Sequence, residues 1–133
     1  MDITVREEQA SLPVTVFAVK GDIDIISSPE LLTQARAAFT SGMRNLILDL
    51  SQVSYISSAG VRALHQIFLL LRTDAPEESE ASMMEGMRAG SYVSPHLKLV
   101  NPMARAEEAL KNTGLDMYLS IYPTVAAALT SYA

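Results

Sequence analysis

The sequence contains no cysteine and no tryptophan, and it is short of basic residues. Without cysteine the chain cannot form disulfides, thiolate metal sites or a cysteine nucleophile. Its 133 residues include 10 Lys and Arg against 15 Asp and Glu, which gives a formal net charge of −5. Because nucleic acids and anionic membranes attract basic surfaces, this balance argues against both as partners.

Long hydrophobic runs are also missing. The longest apolar run outside the predicted strands, residues 67–71, is far shorter than the roughly 20 residues that span a bilayer. The first residues, MDITVREEQ, are charged and polar, unlike a signal peptide. The length suits one domain that can bury a core without a metal or a disulfide. We therefore expect a single domain over residues 1–133 of a cytoplasmic protein, with no cofactor and no metal.

What the sequence does contain is an alternation of strand and helix patterns. The predicted order is ββαβαβα, then a short strand and a last helix. The segments are strands at 2–7 and 13–20, a helix from Ser27–Pro29 to Ser41–Gly42, a strand at 46–50, a helix around 61–71, a strand at 97–100, a helix from Asn101–Pro102 to Gly114, a strand at 119–122 and a helix at 123–130. This order predicts an α/β domain with a mixed central sheet and helices packed mainly on one side.

One segment, residues 73–95, interrupts this order. More than twenty residues between a helix and a strand exceed the usual connection, which indicates a functional or a disordered segment. The methionines in it predict an adaptable apolar contact surface, whereas its glutamates, glycines and serines favour disorder.

The hexapeptide YISSAG, residues 55–60, lies at the corner between the apolar strand and the second helix. A nucleophilic serine at such a corner needs glycine two residues before it and two after it, but Ile56 stands at the first of these positions relative to Ser58. His65 lies about 10 Å further along the same helix by axial rise, too far to act as its base. His96 borders the irregular segment. The sequence therefore disfavours hydrolase chemistry, and we expect no catalytic residues.

Two other interpretations of this corner remain. Ser57 or Ser58 can cap the second helix by accepting a hydrogen bond from one of its unpaired N–H groups. An exposed serine at a helix N-terminus also suits phosphorylation, because the free N–H groups and the dipole tolerate a dianion. The small residues Ala59 and Gly60 would leave the corner open to the backbone of another protein.

Three segments resemble the STAS family, the anti-sigma factor antagonist domains. NLILDLSQVSYISSAGVRAL resembles the core motif of the family, and VKGDIDIISSPEL resembles its Gly-Glu-Leu-Asp segment. LKLVNPMARAEEALKNTGLDMYLSIYPTVAAAL resembles its C-terminal strand, helix and last helix. The likeness covers nearly the whole chain except residues 73–95, which would be an atypical insertion in a single STAS domain.

The resemblance implies a phosphorylation switch. The family's recurrent sequence is Asp-Ser-Ser-Gly-Leu, and its first serine is the modified one. Anchoring on Gly60–Val61 places Ser58 at that position and Ser57 where the acid often stands, so that Ser57 is the second candidate. The unmodified domain would bind an anti-sigma factor, usually a serine kinase, and so release a sigma factor. Phosphorylation by the kinase would end binding, and a metal-dependent serine phosphatase would restore it.

With Asp24 at the acid of the family's Gly-Glu-Leu-Asp pattern and Arg62 as an expected exposed contact at the rim, the resemblance and the open corner together indicate which residues meet the partner. These are Asp24, Ser57, Ser58, Ala59, Gly60 and Arg62. Asp22 and Asp49 are expected to support the corner locally, although Asp22 beside Gly21 also suits an ordinary turn. Three scattered carboxylates are weak evidence for magnesium.

Two roles from other classes use the same fold. The chain can be a scaffold subunit of a multi-protein stress-signalling assembly, or an accessory subunit of a transporter complex. Fold does not choose among them, because function lies in the site and its partners.

Overall fold

A five-stranded mixed sheet organises the part of the chain that the computed structural model describes, residues 1–73, 84–85 and 93–132. Its strands are β1 (Asp2–Gln9), β2 (Pro13–Lys20), β3 (Leu46–Gln52), β4 (Leu97–Val100) and β5 (Ser120–Tyr122). They lie side by side in chain order. β1 and β2 form an antiparallel hairpin, and the pairs from β2 to β5 are parallel. The predicted mixed sheet is confirmed.

The helices lie mainly on one face of this sheet, as predicted. They are α1 (Ser28–Thr40), α2 (Ser58–Arg72), α3 (Ala104–Asn112) and α4 (Val125–Thr130), with a 3₁₀ turn at Leu115–Met117. The first three helices contribute buried side chains such as Leu31, Leu64 and Leu110 to one large core. Among the helices of the described ranges, α4 alone packs on the other face, where Ala128 joins a smaller core.

β3 is buried on both faces, which explains why its sequence is almost entirely apolar. Leu46, Leu48 and Leu50 point into the large core beneath the first three helices. Ile47 points into the smaller core with Ala128. The position of β3 in the core therefore determines where the N-terminus of α2 lies, because a short loop joins the end of β3 to that helix.

The third helix begins later than the sequence predicts. Asn101 has a left-handed backbone with φ 48°, and Met103 is extended with ψ 162°, so α3 starts only at Ala104. Its end is as predicted, because Gly114 follows it with φ 79°. Because α3 starts at Ala104, Arg105 lies in its first turn, near the start of α2.

Segment 73–95 falls largely outside the described residues, and so do its predicted disorder and its predicted methionine surface. Its described end is anchored at Ser94, which is buried and accepts a hydrogen bond from the Leu97 N–H at 3.2 Å. Within the described ranges, no helix is long and apolar enough to cross a membrane.

Candidate functional site

Two loops meet at the end of β3, and backbone hydrogen bonds join them. We call residues 21–27 the acidic loop and residues 55–60 the serine corner. The N–H of Ile23 donates to the Tyr55 oxygen at 3.1 Å, and the N–H of Ser57 donates to the Ile23 oxygen at 2.9 Å. Ile23 and Ile56 thus form a short parallel bridge that holds the acidic loop against the serine corner.

The two adjacent serines have different roles. Ser57 has an extended backbone, with φ −80° and ψ 175°, and its hydroxyl oxygen accepts a hydrogen bond from the Gly60 N–H at 3.2 Å. It is therefore the N-cap of α2. Ser58 is the first helical residue and is exposed. Among the described residues its hydroxyl has no hydrogen-bond partner, so it is available for chemistry.

Gly60 faces the interior. It is buried, and a Cβ on it would lie 2.4 Å from the backbone oxygen of Ile23 and 2.8 Å from the Cγ2 atom of Ile56. The expectation that Gly60 opens the corner to a partner is wrong, because the space that its hydrogen leaves is filled by the acidic loop. Ala59 is half-buried and lines a groove between α1 and α2.

The acidic loop is held in shape by its own carboxylate. Oδ1 of Asp24 accepts hydrogen bonds from the N–H groups of Ser27 at 3.0 Å and Ile26 at 2.9 Å. These backbone bonds, that of Ser27 first, lower the pKa of Asp24. The Ser27 hydroxyl donates to the Asp22 carbonyl oxygen at 2.8 Å instead of capping α1. Asp24 is therefore first of all a turn former.

Asp22 links the acidic loop to the residues just before the serine corner. Its Oδ1 accepts a hydrogen bond from the Ser54 hydroxyl at 2.6 Å. With this bond and the backbone bridge in place, the loop presents Ile25 and Ile26 to solvent, 73% and 86% exposed. Sequence reasoning missed this exposed apolar pair, although two isoleucines inside a turn sequence are a visible signal.

Asp49 lies on the wrong side of the sheet for its predicted role. It alternates with Leu48 and Leu50, which point into the core beneath α2. Successive side chains of a strand point to opposite faces, so the carboxylate of Asp49 is turned away from α2. There it accepts a hydrogen bond from the Ser51 N–H at 3.1 Å. The expectation that Asp49 acts beside Ser58 is therefore wrong.

A cleft separates the start of α2 from α3, with a volume of about 330 Å³. Ser57 and Ser58 line one side of it, and Arg105 and Glu108 line the other. The guanidinium carbon of Arg105 lies 4.9 Å from the centre of the Tyr55 ring, a cation–π distance. Arg62 is exposed one turn after Ser58 and borders the neighbouring groove between α2 and α1. No local sequence signal pointed to Arg105, since only the fold brings α3 beside α2.

Neither histidine is placed to activate Ser58. Nδ1 of His65 lies 2.7 Å from the Tyr118 hydroxyl, at the boundary of the core. Nδ1 of His96 lies 3.0 Å from Oδ1 of Asn45, at the start of β3 and β4, whereas α2 follows the end of β3. In the part of the chain that the structure describes, no group of three or more His, Asp or Glu side chains is placed to hold a metal ion.

Comparison with known proteins gives one family and a consistent set of structures. The family model of the STAS domain matches residues 5–75, just over half of the chain. An anti-sigma factor antagonist from Mycobacterium paratuberculosis is 24% identical, with a TM-score of 0.69 over 98% of this chain and 94% of that one. A candidate anti-sigma factor antagonist from Thermotoga maritima is 18% identical, with a TM-score of 0.71 over 96% and 91%.

The anti-sigma factor antagonist SpoIIAA is similar in two forms. Its unphosphorylated form is 11% identical, with a TM-score of 0.57 over 96% of this chain and 93% of that one. The phosphorylated form of the Bacillus protein is 16% identical, with a TM-score of 0.58 over 95% and 96%. At these identities the likeness concerns the fold, which both forms of SpoIIAA share with this chain.

Proposed function

The chain belongs to the STAS domain family, and we propose on this basis that it is an anti-sigma factor antagonist. Unmodified, it binds an anti-sigma factor that is also a serine kinase, and a sigma factor is released. The kinase transfers the γ-phosphoryl group of ATP to Oγ of Ser58, with release of ADP and of the hydroxyl proton, and binding is lost. A metal-dependent serine phosphatase restores the hydroxyl.

The observation that carries this proposal is that Ser57 and Ser58 have different roles. Ser57 is engaged as the N-cap of α2, whereas the hydroxyl of Ser58 is exposed and unbonded among the described residues. A helix N-terminus also favours the negative charge that modification adds. The likeness to a protein known in phosphorylated and unphosphorylated forms supports the same conclusion for this fold.

The surface around Ser58 suits binding rather than catalysis. Ala59 and Arg62 border a groove beside α1, and Asp24 keeps the neighbouring acidic loop in shape. Ile25 and Ile26 expose apolar side chains from that loop. Exposed apolar groups with polar neighbours are typical of protein-binding surfaces. We propose that residues 1–133 act as one STAS domain, with segment 73–95 as an atypical insertion.

The proposal is tested by isolating the partners and mapping the modified atom. The tagged protein is purified from its native host, and its partners are identified by mass spectrometry. A copurifying serine kinase, given ATP, should add one phosphate, on Ser58. A transporter ATPase or a large homo-assembly as the main partner would instead identify the accessory or the scaffold role.

Two variants test whether Ser58 or Ser57 is the phosphorylated residue. Ser58→Ala should abolish phosphorylation, whereas Ser57→Asp keeps a capping side chain and should remain a substrate. Phosphate that maps to Ser57, or that persists in Ser58→Ala, would show that the register of the motif is wrong.

A further inference from the structure

Ser58 and Arg105 line the same cleft between α2 and α3, although they are far apart in the chain. At about 330 Å³ the cleft has room for several water molecules of about 30 Å³ each. It is open to solvent at Ser58 and at Arg105, which are both exposed. A group added to the Ser58 hydroxyl can therefore enter it without displacing core side chains.

Arg105 has no evident role in the unmodified domain. It lies in the first turn of α3, where the helix dipole disfavours a cation. In the described ranges it forms no ion pair, and its guanidinium group lies over the ring of Tyr55. The stacking holds the guanidinium beside the serine corner. Arg105 is thus a cation that lines the same cleft as Ser58 and has no ion-pair partner among the described residues.

Charges of both signs surround the serine corner, and the carboxylates of Asp22 and Asp24 in the adjoining acidic loop oppose an added anion. Glu108 lines the same cleft from α3 and opposes an added anion. Arg62 lies four residues after Ser58 on α2, a spacing at which side chains of one helix meet. A phosphoserine carries about −1.5 to −2 charges and three acceptor oxygens, which a guanidinium group can bind through two parallel hydrogen bonds.

We propose that, once Ser58 is phosphorylated, Arg105 binds the phosphate across the cleft and so links the start of α2 to α3. Arg62 assists from α2 itself. The inference rests on the proposed phosphorylation of Ser58 and adds to it a receptor for the phosphate within the same chain. The modified domain then carries its phosphate in a defined position, partly neutralised and drawn toward α3.

The test places phosphoserine at position 58 of the full chain during translation, so that no kinase is needed. The pKa of the phosphate is then measured by ³¹P NMR titration in the wild type and in Arg105→Gln. A nearby cation favours the dianion, so Arg105 should lower this pKa. We expect a value about 0.5 unit lower in the wild type than in Arg105→Gln, which equals about 0.7 kcal/mol.

Lys111→Gln is the matched control, because it removes one exposed charge from the same helix, outside the cleft. It should leave the pKa of the phosphate nearly unchanged. Arg62→Gln should raise this pKa by itself, and the effects of Arg62→Gln and Arg105→Gln should combine in the double variant. In about 1 M salt the difference caused by Arg105 should shrink, because the Debye length falls to about 3 Å.

Equal phosphate pKa values in Arg105→Gln and Lys111→Gln would overturn the inference, and so would a shift caused by Arg62 alone. Neither result would touch the proposed function, which depends on the kinase and on the partner. Conversely, failure of any kinase to modify Ser58 would remove the proposed function without changing what the phosphoserine protein shows.

Discussion

The backbone oxygen of Ile23 occupies the space that a side chain on Gly60 would need, 2.4 Å from the position of its Cβ. The N–H of Ser57 donates to that same oxygen at 2.9 Å. One carbonyl group therefore anchors the acidic loop to the first turn of α2. The position of Ser58 depends on this contact, because Ser58 lies between the two residues that make it.

Gly60→Ala should destabilise the domain. Alanine is the better helix former by up to about 1 kcal/mol, but its methyl group would collide with a backbone atom, and overpacking costs about 1–3 kcal/mol. We expect a net loss in the free energy of unfolding, measured by urea denaturation. Ser58→Ala, exposed in the same turn, is the control and should stay within about 0.5 kcal/mol of the wild type. A Gly60→Ala protein more stable than the wild type would contradict the packing described here.

Ser57→Ala should lower the free energy of unfolding by about 1 kcal/mol, because the Gly60 N–H loses its capping acceptor. Ser57→Asp should recover most of this loss, since aspartate caps as well as serine and also favours a helix N-terminus. The same urea denaturation measures both variants. If Ser58→Ala were the costlier change, the roles of the two serines would be reversed.

Tyr132 should make the stability of the domain depend on alkaline pH. Its hydroxyl lies 2.7 Å from the His96 carbonyl oxygen and 3.2 Å from that of Leu46, and burial raises its pKa above the usual 10. A raised pKa in the folded state means that the contribution is complete below about pH 10 and is lost as the pH rises further.

Comparison with Tyr132→Phe isolates this contribution, because ionisations common to both proteins cancel. At neutral pH the variant should be less stable by about 1–2 kcal/mol, since the carbonyl oxygens of His96 and Leu46 lose the hydroxyl group that they share as a donor. Above about pH 10 the wild type should lose free energy of unfolding more steeply than the variant. Parallel pH profiles would show that Tyr132 can ionise without unfolding.

Phosphorylation of Ser58 should change binding and leave the fold intact. The helix dipole favours the phosphate by about 0.3–1 kcal/mol, and an exposed ion pair with Arg105 adds a term of similar size. Both are small beside a folding free energy of about 5–15 kcal/mol. We expect unchanged circular dichroism, a melting temperature within a few degrees of that of the unmodified protein, and an affinity for the anti-sigma factor reduced at least tenfold, a loss of about 1.4 kcal/mol or more.

The affinity falls because binding would bury the charge of the phosphate at a contact that fits a hydroxyl group. Early melting or a changed spectrum of the phosphorylated protein would indicate a conformational switch instead. Ser58→Asp serves as an imperfect mimic in the same measurements, because it carries less charge than a phosphate.

The sequence predicts the fold well because strand and helix patterns alternate with clear boundaries. It predicts the roles of single residues less well where one residue type can have two opposite roles. Gly60 is small, but a small residue suits a close contact in the interior as well as it suits an open surface. Asp49 lies in a strand that is apolar on both faces, so alternation alone does not say which face α2 covers.

The site itself is only partly visible in the sequence. Adjacent serines both suit a cap, and only the backbone angles assign that role to Ser57. Arg105 lines the same cleft as Ser58 because β3 pairs in parallel with β4, a relationship between segments that no local pattern records. Residues brought together by strand pairing, rather than by sequence neighbourhood, are those that the sequence could not provide.

Each described strand after β1 pairs with the strand that precedes it in the chain. During synthesis every new strand therefore leaves the ribosome with its docking edge already formed, and no earlier pairing has to open. The longest interval between the synthesis of two successive described strands falls between β3 and β4, because segment 73–95 must be translated before β4. At about 5–20 residues per second this segment keeps the edge of β3 uncovered for roughly one to five additional seconds. Its length thus sets a delay during which the nascent chain is most open to pairing with the wrong strand.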